Sequence, residues 1–201
     1  MDNKAKGTDK VSCGVEKNLG SREGAVGGGV FTMTCYDKDG NFKWTAEESN
    51  LVVDVGLAAM VGIGLGATTK VTNWYIGLYG ASATNSPNAT DTMASHGAEG
   101  AGGWTEYQSY DEATRQACTF GSVDSSTSGT ATISNSASQA TFTISSVSAS
   151  TVGGAFLVSD STKGGSTGTL FSAADFQSPG DRSVIDGDTI NVTYTFSLSA
   201  S

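Results

Sequence analysis

From Thr189 to Leu198, Ile190, Val192, Tyr194, Phe196 and Leu198 alternate with Thr189, Asn191, Thr193, Thr195 and Ser197. Strict apolar/polar alternation predicts a strand with one face on a core and the other in water. Asp186-Gly187-Asp188 supplies turn chemistry before it. A second alternating run, Gln139–Ser145, places Ala140, Phe142 and Ile144 on one side and is the expected partner of the last strand. Upstream, Val30–Tyr36 and Phe42–Trp44 flank Asp37-Lys38-Asp39-Gly40-Asn41, which predicts a hairpin. Val71–Tyr79 predicts a central strand with Trp74, Ile76 and Leu78 inward. Further short strands are expected at Trp104–Tyr107, Thr114–Phe120, Thr130–Ser134, Val152–Val158, Thr169–Ser172 and Arg182–Ile185.

Leu51–Leu65 breaks the alternation. Val52, Val55, Ala59 and Met60 fall near helical spacing, with Asp54 early and Gly62, Gly64 and Gly66 late. These predict one helix of two to three turns over a sheet edge or end, although the β-branched valines leave a strand reading open. The glycines close the segment, whereas those of a phosphate-binding loop open a helix. Many short strands at close spacing predict an all-β fold, a β-sandwich (jelly-roll-like) with one short helix.

Residues 1–29 are polar, lack periodicity and end in Gly27-Gly28-Gly29. Such a segment cannot bury enough surface to offset its own ordering entropy. We expect an extended N-terminal arm over 1–29 and a sandwich domain over 30–201. The arm is expected to lie on a neighbouring subunit or a partner. Gly80–Gly103 is long, rich in small residues and holds His96, the only histidine. A loop of this length is functional or exposed.

Composition sharpens this picture. Gly accounts for 27 of 201 residues and charged residues for only 15%, so the threonine-rich outer faces must stay hydrated with few charges. Two prolines exclude a Pro-rich linker. The net charge of −9 argues against nucleic acid, whose binders bring Lys and Arg to phosphates. The charge is uneven. Lys4, Lys6, Lys10, Lys17 and Arg22 oppose Asp2, Asp9, Glu16 and Glu23, a net of +1 in a chain of −9, which leaves −10 on the rest. These five cations are the candidate partner-binding residues. Cys13, Cys35 and Cys118 show neither a disulfide framework nor zinc-ligand spacing. A reducing compartment fits, and no apolar run is long enough to span a bilayer.

Candidate chemistry is sparse. Asp37, Asp39 and Asn41 open like a calcium loop, and Glu48 stands at its twelfth position. Against a metal, Phe42–Thr45 reads as a strand and no helices flank the loop. The carboxylate pairs Glu47/Glu48, Glu106/Asp111 and Asp186/Asp188 are each read as helix-entry or turn residues. His96 lacks neighbours that would orient it as a base. We therefore expect neither an enzyme nor a cofactor.

Several stretches resemble a family encoded in the structural gene clusters of tailed bacteriophages. They are GVFTMTCYDKDGNFKW (29–44), NLVVDVGL (50–57), NWYIGLYGA (73–81), DTMASH (91–96), GGWTEY (102–107), VGGAFLVS (152–159), STKGGSTGTLFSAADF (161–176) and GDTINVTYTFSL (187–198). The resemblance covers most of 29–198 and omits the arm. It implies a non-enzymatic virion structural protein, assembled in the host cytoplasm. Its place would be the capsid surface, as a decoration (cement) protein, with neck, tail or receptor-binding fibre roles as alternatives. The implied partners are the major capsid protein and copies of itself, as a homotrimer, with no nucleic acid and no membrane. The arm cations would then strap neighbours, and the 80–103 loop would supply a second contact.

Overall fold

The computed structural model describes residues 25–66, 68–80, 86–95, 104–177 and 180–200. Among these residues, twelve strands and one helix follow in chain order: β1 (Ala25–Tyr36), β2 (Phe42–Ser49), β3 (Leu51–Val52), α1 (Asp54–Leu65), β4 (Tyr75–Gly80), β5 (Glu106–Tyr107) and β6 (Gln116–Ala117). The second half holds β7 (Thr130–Ser134), β8 (Ala140–Thr143), β9 (Ser150–Val158), β10 (Leu170–Asp175), β11 (Arg182–Val184) and β12 (Thr189–Ala200). They form two antiparallel sheets. One runs β2-β1-β12-β7 with β8 also on β12; the other runs β3-β10-β9-β4-β5, with β11 on β9 and β6 on β4. The fold is the expected all-β sandwich with one short helix.

The two sheets are buried differently, and their sequences differ accordingly. In the first sheet, Phe31, Met33 and Cys35 of β1 and Ile190, Val192 and Tyr194 of β12 are buried and point at the second sheet. Their outward neighbours are hydroxyls. Thr132 faces Ser197 at 3.1 Å, Thr130 faces Ser199 at 3.2 Å, and the Thr195 hydroxyl donates to Ser134 at 3.0 Å. Thr141 donates to Asn191 at 2.9 Å, continuing these cross-strand rungs along β8. One face is dry and one is wet, which is why the sequence alternates.

The second sheet is buried on both faces. Ile76, Leu78, Ala155 and Leu157 face the inter-sheet core. Tyr79, Phe156, Val158 and Leu170 face outward beneath Met93 and Trp104. β9 therefore carries the near-continuous small and apolar run VGGAFLV, as strands covered twice do.

On one side of β12, β7 and β8 act as a single interrupted strand. Ser134 faces Thr195 and Ala140 faces Val192. Six steps along β7–β8 match three along β12, so three residues loop out. Buried Asn135 fills the gap: its Oδ1 accepts the Tyr194 N–H at 2.7 Å, and its Nδ2 donates to the Val192 carbonyl at 3.3 Å. A side chain here completes a ladder that the backbone leaves open.

Several boundaries differ from expectation. β1 begins at Ala25, so residues 25–29 of the expected arm belong to the sandwich. β2 runs on to Ser49 because β1 pairs with it as far as Val30. The strand expected over 71–79 starts at Tyr75, where pairing with β9 begins at Val158. Leu51 and Val52 pair with Ala173 and Ser172, and only then does α1 begin. Both readings of the 51–65 segment are therefore realised, one after the other.

Candidate interaction site

α1 lies against β10. Gly56 is its one buried residue, and a Cβ there would stand 2.2 Å from the Phe171 carbonyl oxygen. The Val53 N–H donates to the same Phe171 carbonyl at 3.2 Å, and the Asp54 N–H donates to Ala89 at 2.8 Å. This anchoring holds the start of the helix and leaves its end projecting. Asp54 is the only charged residue of DVGLAAMVGIGL. Yet Leu57 is 43%, Val61 57% and Leu65 90% exposed. A helix apolar all round is ordinarily covered on every side.

Beside α1, the sandwich opens at one end into a cleft of about 650 Å³. Met60 and Ile63 of α1, Trp74 before β4, Phe120, Ile133 of β7, Phe171 of β10, and Phe196 and Leu198 of β12 line it. Trp74 meets Phe171 edge-on at 5.5 Å, and Phe171 meets Phe196 at 5.4 Å. The outer half of the last strand thus faces the cleft: Ile190, Val192 and Tyr194 are buried, whereas Phe196 and Leu198 are partly exposed. Cys118 also lines the cleft, but burial pushes its thiol up to about 12. The raised value keeps it protonated near neutrality, the less reactive form of a thiol. Among the described residues Lys70 is the one charged side chain in the lining. The cleft is suited to receiving apolar side chains.

Asp37, Asp39, Asn41 and Glu48, the expected site residues that the structure describes, do not line the cleft. Lys4, Lys6, Lys10, Lys17 and Arg22 lie outside the described residues, as does His96. Asp37, Asp39 and Asn41 form the β1–β2 turn. Asp37 Oδ1 accepts the Asp39 and Asn41 N–H groups at 2.9 and 2.8 Å, while Lys38 pairs with Asp39. The Asn41 side chain is the largest influence holding the Asp37 carboxyl below its ordinary value. Glu48 stands seven residues further along extended chain, roughly 20 Å away at ~3.3 Å per residue, and accepts the Gln177 N–H at 3.1 Å. The four do not share a site, and among the described residues no three His, Cys, Asp or Glu side chains cluster as metal ligands.

The 80–103 loop is described at 86–95. Met93 is buried over the second sheet, and Asp91 accepts the Trp104 indole N–H at 3.1 Å. This part of the loop serves as a cover for the outer core.

Two polar clusters escaped sequence reading. Arg115 and Glu106 are fully buried on the outer side of the second sheet. The guanidinium donates to Glu106 from Nε at 3.0 Å and from Nη2 at 2.8 Å, and also to the Asp160 and Gly165 carbonyls. The Gly164 N–H completes the carboxylate shell at 2.9 Å. The sequence offered an Arg inside the expected Thr114–Phe120 strand and Glu106 as a carboxylate pair with Asp111, and neither signal names the other as its partner. The second cluster joins Lys43 to buried Asp188, whose Oδ2 also accepts the Ile185 N–H at 2.9 Å. Both clusters are consumed by tying loops to the sheets.

No helix among the described residues is long and apolar enough to cross a membrane. Compared with family models, curated proteins and solved structures, the chain matches none of them.

Proposed function

We propose that this protein is a non-enzymatic structural component of a tailed-bacteriophage virion. Its role is capsid decoration: binding the outer shell and clamping neighbouring capsomers. The observation that carries the reading is the exposed apolar helix beside an apolar cleft, at the end of the sandwich where the N-terminal residues join β1. That arrangement suits a contact surface between protein bodies better than a pocket for chemistry, because its lining is mostly aromatic and aliphatic, with Lys70 beside Thr72, Asn73 and Thr119. The motif resemblance supplies the virion setting. The body of −10 and the N-terminal cations supply opposite charges for lattice contacts.

The mechanism follows from linkage. A clamp that binds the expanded shell more tightly than the unexpanded one stabilises it by the difference in affinity. Repetition over the lattice adds contacts through effective concentration. Quantitative mass spectrometry of purified virions tests this directly. Decoration requires hundreds of copies per particle; six or twelve would move the protein to the neck or tail and refute the cement role.

A further inference from the structure

β1 outruns its neighbour. From Val30 onward it lies between β2 and β12, whereas among the described residues Ala25–Gly29 pair with β12 alone. β2 stops at Ser49, and Asn50 closes the step. The Asn50 N–H donates to the Gly29 carbonyl at 2.8 Å, and its Oδ1 accepts the Gly29 N–H at 2.7 Å. Backbone groups alternate sides along a strand, so Ala25 and Gly27 present theirs to the same open side as Gly29. The result is a short sheet edge, the feature to which an added strand binds.

The inner face of this edge adjoins the cleft. Gly27 is opposite Leu198 and Gly29 opposite Phe196, both cleft-lining residues. A Cβ on Gly27 would meet Leu198 at 2.8 Å. β1 therefore brings no side chains of its own to this corner. Apolar groups that fill it must come from elsewhere.

The chain preceding Ala25 contains one suitable stretch. In Val11-Ser12-Cys13-Gly14-Val15, apolar residues alternate with small ones, a five-residue exception in an otherwise aperiodic polar segment. Lys10 and Lys17 flank it and suit an acidic body. We propose that Val11–Val15 of a second copy of this chain adds as a strand to the Ala25–Gly29 edge, placing Val11, Cys13 and Val15 over the cleft. A second copy fits better than the chain's own segment because apolar surface continues along α1 to Val61 and Leu65. Five residues cannot cover both, whereas a neighbouring body arriving with its strand can. The inference deepens the assembly reading above by naming how copies join, and its test needs no capsid.

The full chain is studied by analytical ultracentrifugation across a concentration series, with maleimide labelling of Cys13 read by peptide mass spectrometry. Buried Cys35 and Cys118 leave Cys13 as the reporter. Self-association is expected, with Cys13 labelling slowed at least about tenfold in the oligomer relative to the dilute monomer, a difference of about 1.4 kcal/mol. Val11→Asp with Val15→Asp is expected to give monomers with an unchanged melting temperature. Val61→Lys with Leu65→Lys is expected to weaken association without altering Cys13 labelling of the monomer. A monomer at every concentration overturns the proposal, as does an oligomer that survives the Val11/Val15 variant. Equal protection of Cys13 in the dilute monomer also overturns it, in favour of docking by the chain's own segment. Failure to bind shells despite these results would count against the virion role alone.

Discussion

Asn135→Ala tests whether one buried side chain completes the ladder beside β12. The substitution removes the acceptor of the Tyr194 N–H at 2.7 Å and the donor to the Val192 carbonyl at 3.3 Å. Val192 and Tyr194 are both fully buried, so neither group gains water in exchange. A buried polar group left unmade costs about 1–3 kcal/mol; the Tyr194 N–H is stranded in this way, whereas the Val192 carbonyl keeps its register partner Ala140, so the total is about 1–3 kcal/mol. In a chain of this size each kcal/mol moves the melting temperature by about 2–4 °C, so a fall of roughly 2–12 °C is expected. Urea unfolding followed by tryptophan fluorescence is the assay, with an unchanged slope confirming that only stability moved. Backbone bonds from Asn135 to Tyr194 and from Ser138 to Asn135 persist in the variant, which isolates the side chain. A loss below about 0.5 kcal/mol, the range of inconsequential surface changes, would refute the reasoning. It would mean that β7 and β8 reclose around the gap.

Other outcomes follow from the same kind of contact. Arg115→Met strands the buried Glu106 carboxylate and should cost about 3–5 kcal/mol in chemical denaturation, while adding Glu106→Leu should recover most of it. Recovery of nothing would show that the loop carbonyls, not the charge pair, dominate. Gly56→Ala forces a methyl toward the Phe171 carbonyl and should cost about 1–3 kcal/mol by lifting α1 from β10; an unchanged melting temperature would show that the helix is loosely held. The Thr167 hydroxyl and then the Thr162 N–H lower the Asp160 carboxyl to about 2. That contribution to stability is present above the ordinary carboxylate range and lost as pH falls through about 2. Thr167→Val should move the Asp160 titration upward in carboxyl NMR, and an unmoved titration would contradict the assignment.

Legibility in the sequence tracked solvent exposure. β12, β8 and the β1–β2 hairpin have one wet face, so alternation announced them and also the β8–β12 pairing. The second sheet was harder. β4 is covered on both sides, and its start at Tyr75 depends on where β9 begins pairing, a long-range event with no local mark. The Leu51–Leu65 segment was ambiguous because it crosses from one sheet to the other before turning helical. The cleft was hidden for a different reason: Phe196 and Leu198 continue the core alternation perfectly, and nothing local marks that they end up only partly covered. Arg115 found Glu106 through folding, not spacing.

The hydroxyl rungs on the outer face of the first sheet have an electrical consequence. Along β12, β7 and β8 that face is built of Thr, Ser and Asn, none of which titrates between acid and alkaline pH. That face therefore contributes no titrating charge of its own, and the potential over it comes from the acidic residues elsewhere, screened over a Debye length of about 8 Å at physiological salt. A negatively charged protein thus carries one broad surface whose own side chains hold no charge at any ordinary pH.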